Sequence, residues 1–523
     1  MPPIPLKVFP WIGGLNTSLD ASTIGANELT IADNIVFGTQ GSRKKRDGID
    51  FDWDDASNGT DSLIAGIDFW YGTAAGKTQK VVTLSDAKNF YTYNPTSGAR
   101  TAITDGGTAY PAAITTATML VFNNKLLVAV DGANNVVKAW TGSGDIADLG
   151  GTPPKASLLQ SHLGRVWCND KTRIDRLHYS TTGNEEEWNG IGDSGALDIG
   201  TGDGDPEGIT AIFPTFKGVL YVAKKTKLYK ILGETPETFQ IVEVSKGLGC
   251  VGQNSIAQID QDDMVFVSER GIHSLASTDK FGDFEAAFLS APIQATFIES
   301  IPAARRKYIW GRYLNHINSV AFALTDEQTA SGENKSIYLY NLPLKSWYVW
   351  PDVSCECMFI VQQTDMKRLF LGGSTTRLAK TFNGTNYDLN TSGTETAIIP
   401  RIRTGYIAPS GDNLIIHAFK GFGLIYRPIG THTVTASVKI DNFPTQSFAF
   451  SQQDSADLLG STFVLGTSLL GVDAVLAPYV YSMDGYGRSV QITITQSGTD
   501  EEIEIQGFVL FYEPSSPMNE VTE

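Results

Sequence analysis

Ile209–Ile231 reads ITAIFPTFKGVLYVAKKTKLYKI, and Ile256–Leu275 reads IAQIDQDDMVFVSERGIHSL. Each is an apolar run, a short polar turn, a β-rich run, a second turn and a third apolar run. Looser copies stand at Ala113–Trp140 (KLLVAV, VVKAW), Leu158–Tyr179 (RVWC, RLHY), Tyr308–Leu342 (YIWGRY, SVAFALT, SIYLYNL) and Cys357–Phe382 (MFIV, RLFLGG, RLAKTF). A further copy is read at Leu63–Tyr93 (LIAGIDFWYG, KVVTLS, FYTYN). Starts recur roughly every 40–50 residues, the period of β-propeller blades. Within a unit the period is two, as in Gly218-Val-Leu-Tyr-Val222 and Ser336-Ile-Tyr-Leu-Tyr340, which predicts half-buried strands. Gly, Asp and Asn fill the turns, where positive φ is needed.

Outward from this array, the sequence divides into four parts. Residues 1–61 read as an N-terminal arm without a repeat, carrying Gly13-Gly14, Asp33-Asn-Ile-Val-Phe37 and the basic run Arg43–Arg46. Residues 62–388 hold the repeats, and a mean blade of about 45–47 residues predicts roughly seven blades, or six if Leu63–Tyr93 belongs to the arm or closes another blade. Residues 393–513 carry strand-like HAFKGFGLIYR, HTVTASVKID, SVQITITQS and EEIEIQGFVLFYE, the pattern of a C-terminal β-sandwich. Within it, Ser461–Tyr481 reads as a long insertion. Residues 514–523 read as a flexible tail. The expected fold class is therefore all-β. The one stretch with a helical pattern is Ala291–Ile301.

Composition narrows the function. The 523 residues include 52 Gly, and 41% are hydrophobic, which fits a turn-rich folded chain. A net charge of −17 argues against a general nucleic-acid binder, which needs a basic face to displace counterions. It is compatible with a conduit that DNA slides through without sticking. Cys168, Cys250, Cys355 and Cys357 read as buried thiols; Cys355-Glu-Cys357 is too close-spaced for a zinc pair. The N-terminal MPPIPLKVFP lacks an apolar leader core, and no run of about 18 apolar residues is present. The expectation is a chain assembled in a cytoplasm without a membrane span.

Chemistry-bearing strings are sparse. The six histidines, His162, His178, His273, His316, His417 and His432, form no HxxxH or HExxH pattern, and no GxSxG is present. Glu185-Glu186-Glu187 before Trp188 could imitate glycosidase carboxylates, but the repeated Asp-boxes of sialidase propellers are missing. Asp198, Asp203 and Asp205, around Thr201-Gly-Asp-Gly-Asp-Pro206, could surround a cation but lack the closing Glu of an EF-hand loop. No cofactor is expected. Three basic groups could touch DNA phosphates or a neighbouring subunit: Arg43, Lys44, Lys45 and Arg46 in the arm; Lys224, Lys225 and Lys227 at a hairpin; and Arg305-Arg306-Lys307.

Several strings together resemble one family. They are Tyr229-Lys-Ile-Leu-Gly-Glu-Thr-Pro-Glu-Thr-Phe239, Gly247-Leu-Gly-Cys-Val251, Asn254-Ser-Ile-Ala-Gln-Ile259, Val265-Phe-Val-Ser-Glu-Arg-Gly-Ile272 and Leu177-His-Tyr-Ser-Thr-Thr-Gly183. The arm's Gly13-Gly-Leu-Asn-Thr17, Ala32-Asp-Asn-Ile-Val-Phe37 and Arg46-Asp-Gly48 follow the same order. They resemble tail proteins of short-tailed bacteriophages, called nozzle, tail tubular protein B or packaged-DNA stabilisation protein. The resemblance implies a non-enzymatic virion tail protein. It would form a homohexameric ring below the portal and its adaptor, meet tail fibre or spike proteins, retain packaged DNA and release it at infection. Two other classes stay open: a receptor- or glycan-binding tail module using Phe69-Trp-Tyr71 or Trp347-Tyr-Val-Trp350, and a propeller glycosidase.

Overall fold

The computed structural model describes all residues except 1–2, 39–40, 54–60, 74–75, 203–207, 261, 282–287, 326–332, 374–376, 412, 428–431, 442, 452–476 and 515–523. The chain is mostly β, built from many small sheets, and among the described residues two short α-helices occur, Leu275–Phe281 and Gln294–Glu299. The second of these, with the 3₁₀ turn Ala291–Ile293, occupies the one stretch expected to be helical. Among the described residues no helix is long and apolar enough to cross a membrane.

Seven antiparallel sheets follow one another along residues 63–380, here numbered I to VII. Their first strands are Leu63–Thr73, Ala117–Phe122, Leu159–His162, Ala211–Ile212, Ala257–Ile259, Trp310–Leu314 and Cys357–Gln362. Each sheet then steps outward by hairpins. The first turns of sheets II and III, Asn123-Asn124 and Leu163-Gly164, and Lys217-Gly218 just before the second strand of sheet IV, have both residues at positive φ. That is the type I′ geometry whose twist matches flanking strands.

Burial follows position within the sheet. Second strands such as Lys125–Val130, Leu220–Ala223 and Ser319–Leu324 are almost wholly buried, whereas the outer strand Gln240–Ser245 is largely exposed. A strand buried on both faces must be covered by neighbouring sheets, and apolar layers lie between consecutive sheets. Leu127 and Ala129 of sheet II pack with Leu159 and Val166 of sheet III. Trp167 and Tyr179 of sheet III pack with Leu220 and Val222 of sheet IV, and Phe213 of sheet IV packs on Phe266 of sheet V.

Sheet VII meets sheet I in the same manner. Leu63 N donates to Gly373 O at 3.2 Å, and Gln362 N donates to Asp68 Oδ2 at 2.9 Å. A Cβ on Gly66 would lie 2.0 Å from the Phe359 ring, so only glycine permits this approach. Residues 49–51 complete sheet VII from outside. Asp50 and Lys380 exchange backbone hydrogen bonds at 2.8 and 3.0 Å, and Phe51 N donates to Leu389 O at 2.9 Å.

The arm read at residues 1–61 is not a free arm. Ile4–Val8 pairs with Glu504–Pro514, and Arg43–Lys45 pairs with the start of that same strand. Leu29–Asp33 lies between Ser346–Trp350 of sheet VI and Arg401–Thr404. It thereby joins sheet VI to Val490–Thr495, Thr433–Ile440 and Gln446–Ser451 in one nine-stranded sheet. A second, six-stranded sheet carries Ile35–Phe37, Arg43–Lys45, Glu504–Pro514, His417–Arg427 and Ala477–Gly487, with Ile4–Val8 on its side. Phe422 of this sheet contacts Phe448 and Phe450 of the nine-stranded sheet. The arm folds here because its apolar residues, Trp11, Leu29, Ala32 and Ile35, are fully buried only against these C-terminal strands and sheet VI. The insertion read at Ser461–Tyr481 lies outside the described residues up to 476, as does the tail after Pro514.

Candidate functional site

The first strands of the seven sheets surround one cavity of about 390 Å³. Its walls include Ala65–Asp68, Ala117–Met119, Leu159 and Gln160, Pro214, Gln258, Trp310 and Arg312, and Phe359 and Ile360. Sheet V also sends the 3₁₀ turn Gln253–Ser255 inward. There Asn254 Nδ2 donates to Ala117 O of sheet II at 3.3 Å, and Gln253 exchanges two 2.7 Å hydrogen bonds with the Ile212 backbone of sheet IV. A smaller space of about 190 Å³ shares Ala117, Gln253 and Asn254 with the first and reaches Lys307. The cavity is of the size that holds small ligands. A space of this volume cannot hold even one turn of duplex DNA, about 34 Å long.

Two charged side chains line this space. Asp68 accepts from Gln79 Nε2 at 2.8 Å, Trp70 Nε1 at 3.0 Å and Gln362 N at 2.9 Å. Arg312 lies over the Trp310 ring, 4.8 Å from its centroid, and donates to Gly311 O at 2.7 Å. Burial pushes its guanidinium down to about 10, which leaves it protonated at neutral pH. The sequence reading passed over both. Arg312 had a signal: a lone arginine among the apolar residues of YIWGRY, in the first strand of a sheet.

The basic groups expected to reach DNA or a neighbour are mostly internal. Arg43 is fully buried, with its guanidinium 4.2 Å from the Trp11 ring and donating to Trp11 O and Gly13 O. Lys45 is buried and donates to Glu501 O at 3.0 Å and Gly498 O at 3.2 Å; burial pushes it down to about 8, against the pull of Glu501. Arg46 is buried in a bidentate pair with Asp388 at 2.6 and 2.7 Å. Lys224 is fully buried with Nζ 2.8 Å from Asp175. In this fold these four side chains are turned inward and hold strands and sheets together. Lys44, partly exposed and 3.4 Å from Glu504, Lys225, 3.5 Å from Glu269, and half-buried Lys227 stay nearer the surface. Arg305 and Arg306 pair with Glu356 and Glu269; Lys307 is exposed.

The remaining strings are likewise internal. Glu185 is buried against Lys125 at 2.7 Å, and Trp188 Nε1 donates to Glu185 O at 2.7 Å, so the Glu run closes a loop onto sheet II. Phe69, Trp347, Tyr348 and Trp350 are core residues, and of the two aromatic runs only Trp70 is strongly exposed. Asp198 is neutralised by Arg176 at 2.7 Å, while Asp203 and Asp205 lie outside the described residues. Among the described residues no group of three His, Cys, Asp or Glu could hold a metal. All four cysteines are buried and free.

Burial pushes His162, His178, His273, His316 and His417 below the ordinary histidine range, His273 to about 4. These rings are neutral in the fold, and the unfolded chain takes up protons near pH 6.5. Stability is therefore full above about pH 6.5 and falls as pH drops toward 4, by roughly 3 kcal/mol for His273 alone. Urea midpoints measured from pH 7.5 to 4.5 should fall, and His273→Phe, placed beside Phe266 and Phe288, should flatten the slope by about one proton. A profile identical in both proteins would contradict this.

No family model and no curated protein matches the chain. Among solved structures, the extracellular domain of a putative one-component system from B. thetaiotaomicron is 12% identical with a TM-score of 0.41, covering 74% of this chain and 43% of that one. YCF48 bound to D1 peptide is 10% identical with a TM-score of 0.38, covering 62% and 92%. The computationally designed Ika8 protein is 10% identical with a TM-score of 0.36, covering 63% and 99%. The chain spans under half the length of the first of these three. Likenesses this distant carry no argument about activity or partners.

Proposed function

We propose that sheets I to VII are the blades of a closed seven-bladed propeller, that the arm and the C-terminal strands form a β-sandwich on its flank, and that the whole is a structural subunit of a short-tailed phage tail. Closure is supported by the common cavity and by the contacts from sheet VII back to sheet I. The sandwich is supported by the Phe422 contacts between the two C-terminal sheets.

The observation that carries the assembly reading is where apolar side chains stay exposed. Among the described residues, ten of the seventeen large exposed ones fall before residue 54 or after 393, among them Leu414, Tyr486, Val480, Phe443 and Ile399. The larger set of blades has the other seven. Exposed apolar side chains in excess on one part of a fold fit an interaction face. A head-to-tail interface between such faces closes into a ring. The propeller cavity is too small for DNA, so the DNA path in this reading runs between subunits, along a lumen whose acidic walls would not bind phosphate. The charge of −17 fits that role.

Analytical ultracentrifugation and electron microscopy of the purified protein test the proposal. A ring of six is expected, reduced to monomer by Leu414→Asp combined with Tyr486→Asp. A wild-type chain that stays monomeric at every concentration, and is absent from virion tails, overturns it.

A further inference from the structure

We infer that the cavity enclosed by the first strands of sheets I to VII is a binding site for a small carboxylate with an apolar body, held by Arg312. The inference does not depend on the phage reading.

An arginine guanidinium carries five donors in a planar fork matched to a carboxylate. Arg312 uses one on Gly311 O, and no carboxylate of the described residues lies within ion-pair distance of it. The one acidic side chain in the same wall, Asp68, already has both oxygens engaged by Trp70, Gln79 and Gln362. Of the buried arginines, Arg46 has Asp388, Arg165 has Asp193 and Arg306 has Glu269, while Arg43 donates to the backbone carbonyls of Trp11 and Gly13. Arg312 is a half-buried cation that lines open space and keeps donors to spare. A guanidinium with spare donors and no ion-pair partner in a concave wall favours an incoming anion.

The walls define the rest of the ligand. Met119, Leu159, Trp310 and Phe359 supply apolar surface, and Gln160 and Gln258 supply amides. A volume of about 390 Å³ fits a ligand of fragment size, not a peptide or a nucleotide chain. Trp310 beneath the guanidinium favours an aromatic or branched body next to the carboxylate.

Titration of the full chain with benzoate, with benzyl alcohol as the uncharged comparison, tests this by calorimetry and by the ligand-dependent rise in melting temperature. Saturable one-site benzoate binding is expected, at least about tenfold tighter than benzyl alcohol. Arg312→Met, which keeps the stem and removes the charge, should abolish that preference. Ile360→Phe, which fills the cavity and leaves Arg312 in place, should weaken benzoate by a similar factor and keeps the test decisive if Arg312→Met does not fold. Equal binding of the two ligands, no benzoate binding, or benzoate binding unchanged in Ile360→Phe each overturn the inference.

Discussion

Deleting residues 3–53 is expected to abolish cooperative folding of residues 393–514 and to open the edge of sheet VII. The deletion removes the strand that joins sheet VI to Arg401–Thr404, the strand beside Phe508–Tyr512, and the segment that completes sheet VII. Trp11, Leu29, Ile35 and Ile49 are all essentially buried. At about 1.5–3 kcal/mol each, their burial amounts to roughly 6–12 kcal/mol, comparable with the entire stability of a typical domain. The deletion also strands Asp388 and Glu504, which lose Arg46 and Lys44. Scanning calorimetry should show the loss of a transition, and protease digestion should degrade the C-terminal region while fragments of sheets II to IV survive. A deleted chain with the parent melting profile would refute this account.

Within the basic run, two neighbours are expected to behave oppositely. Arg46→Met should cost about 3–5 kcal/mol, because it leaves Asp388 half-paired in a buried site. Arg46 also donates to Asn34 Oδ1 at 2.9 Å, so its loss frees the turn between two paired strands. Lys44→Met should cost about 1 kcal/mol or less, since its partly exposed ammonium meets Glu504 at 3.4 Å in contact with water. Urea midpoints of the two variants, with Asp388→Asn and the Arg46→Met/Asp388→Asn double variant completing a cycle, read the coupling directly. Equal midpoints for Arg46→Met and Lys44→Met would show that the run is a surface feature after all.

That run also shows where the sequence could be read and where it could not. The strands at Leu220–Ala223, Leu228–Leu232, Asp263–Ser268 and Gly271–Ser274 lie where the alternating runs predict them, because a half-buried strand writes its period locally. Leu275–Phe281 escaped notice because seven residues, LASTDKF, are too few to display a helical period. The pairing of the arm with strands more than 350 residues away has no local signature. Without it, four consecutive cations look solvent-facing. Once Trp11, Asp388 and Gln496 are known to surround them, three of the four become core. The central cavity was unreadable for the same reason: its wall is made of short pieces from seven sheets that lie far apart in sequence.

The pairing of Ile4–Val8 with Glu504–Pro514 has a consequence for how the protein is made. Translation at about 5–20 residues per second separates the two strands by roughly 25–100 seconds. Throughout that interval Ile4–Val8 and Trp11 are out of the ribosome without the strand that covers them, and Leu29 waits for Arg401–Thr404. The nascent chain must be shielded by chaperones, or must hold its first strands in a provisional place, until its last ones arrive. Several chains growing on one messenger could trade these end strands, so assembly and folding would compete for the same late event.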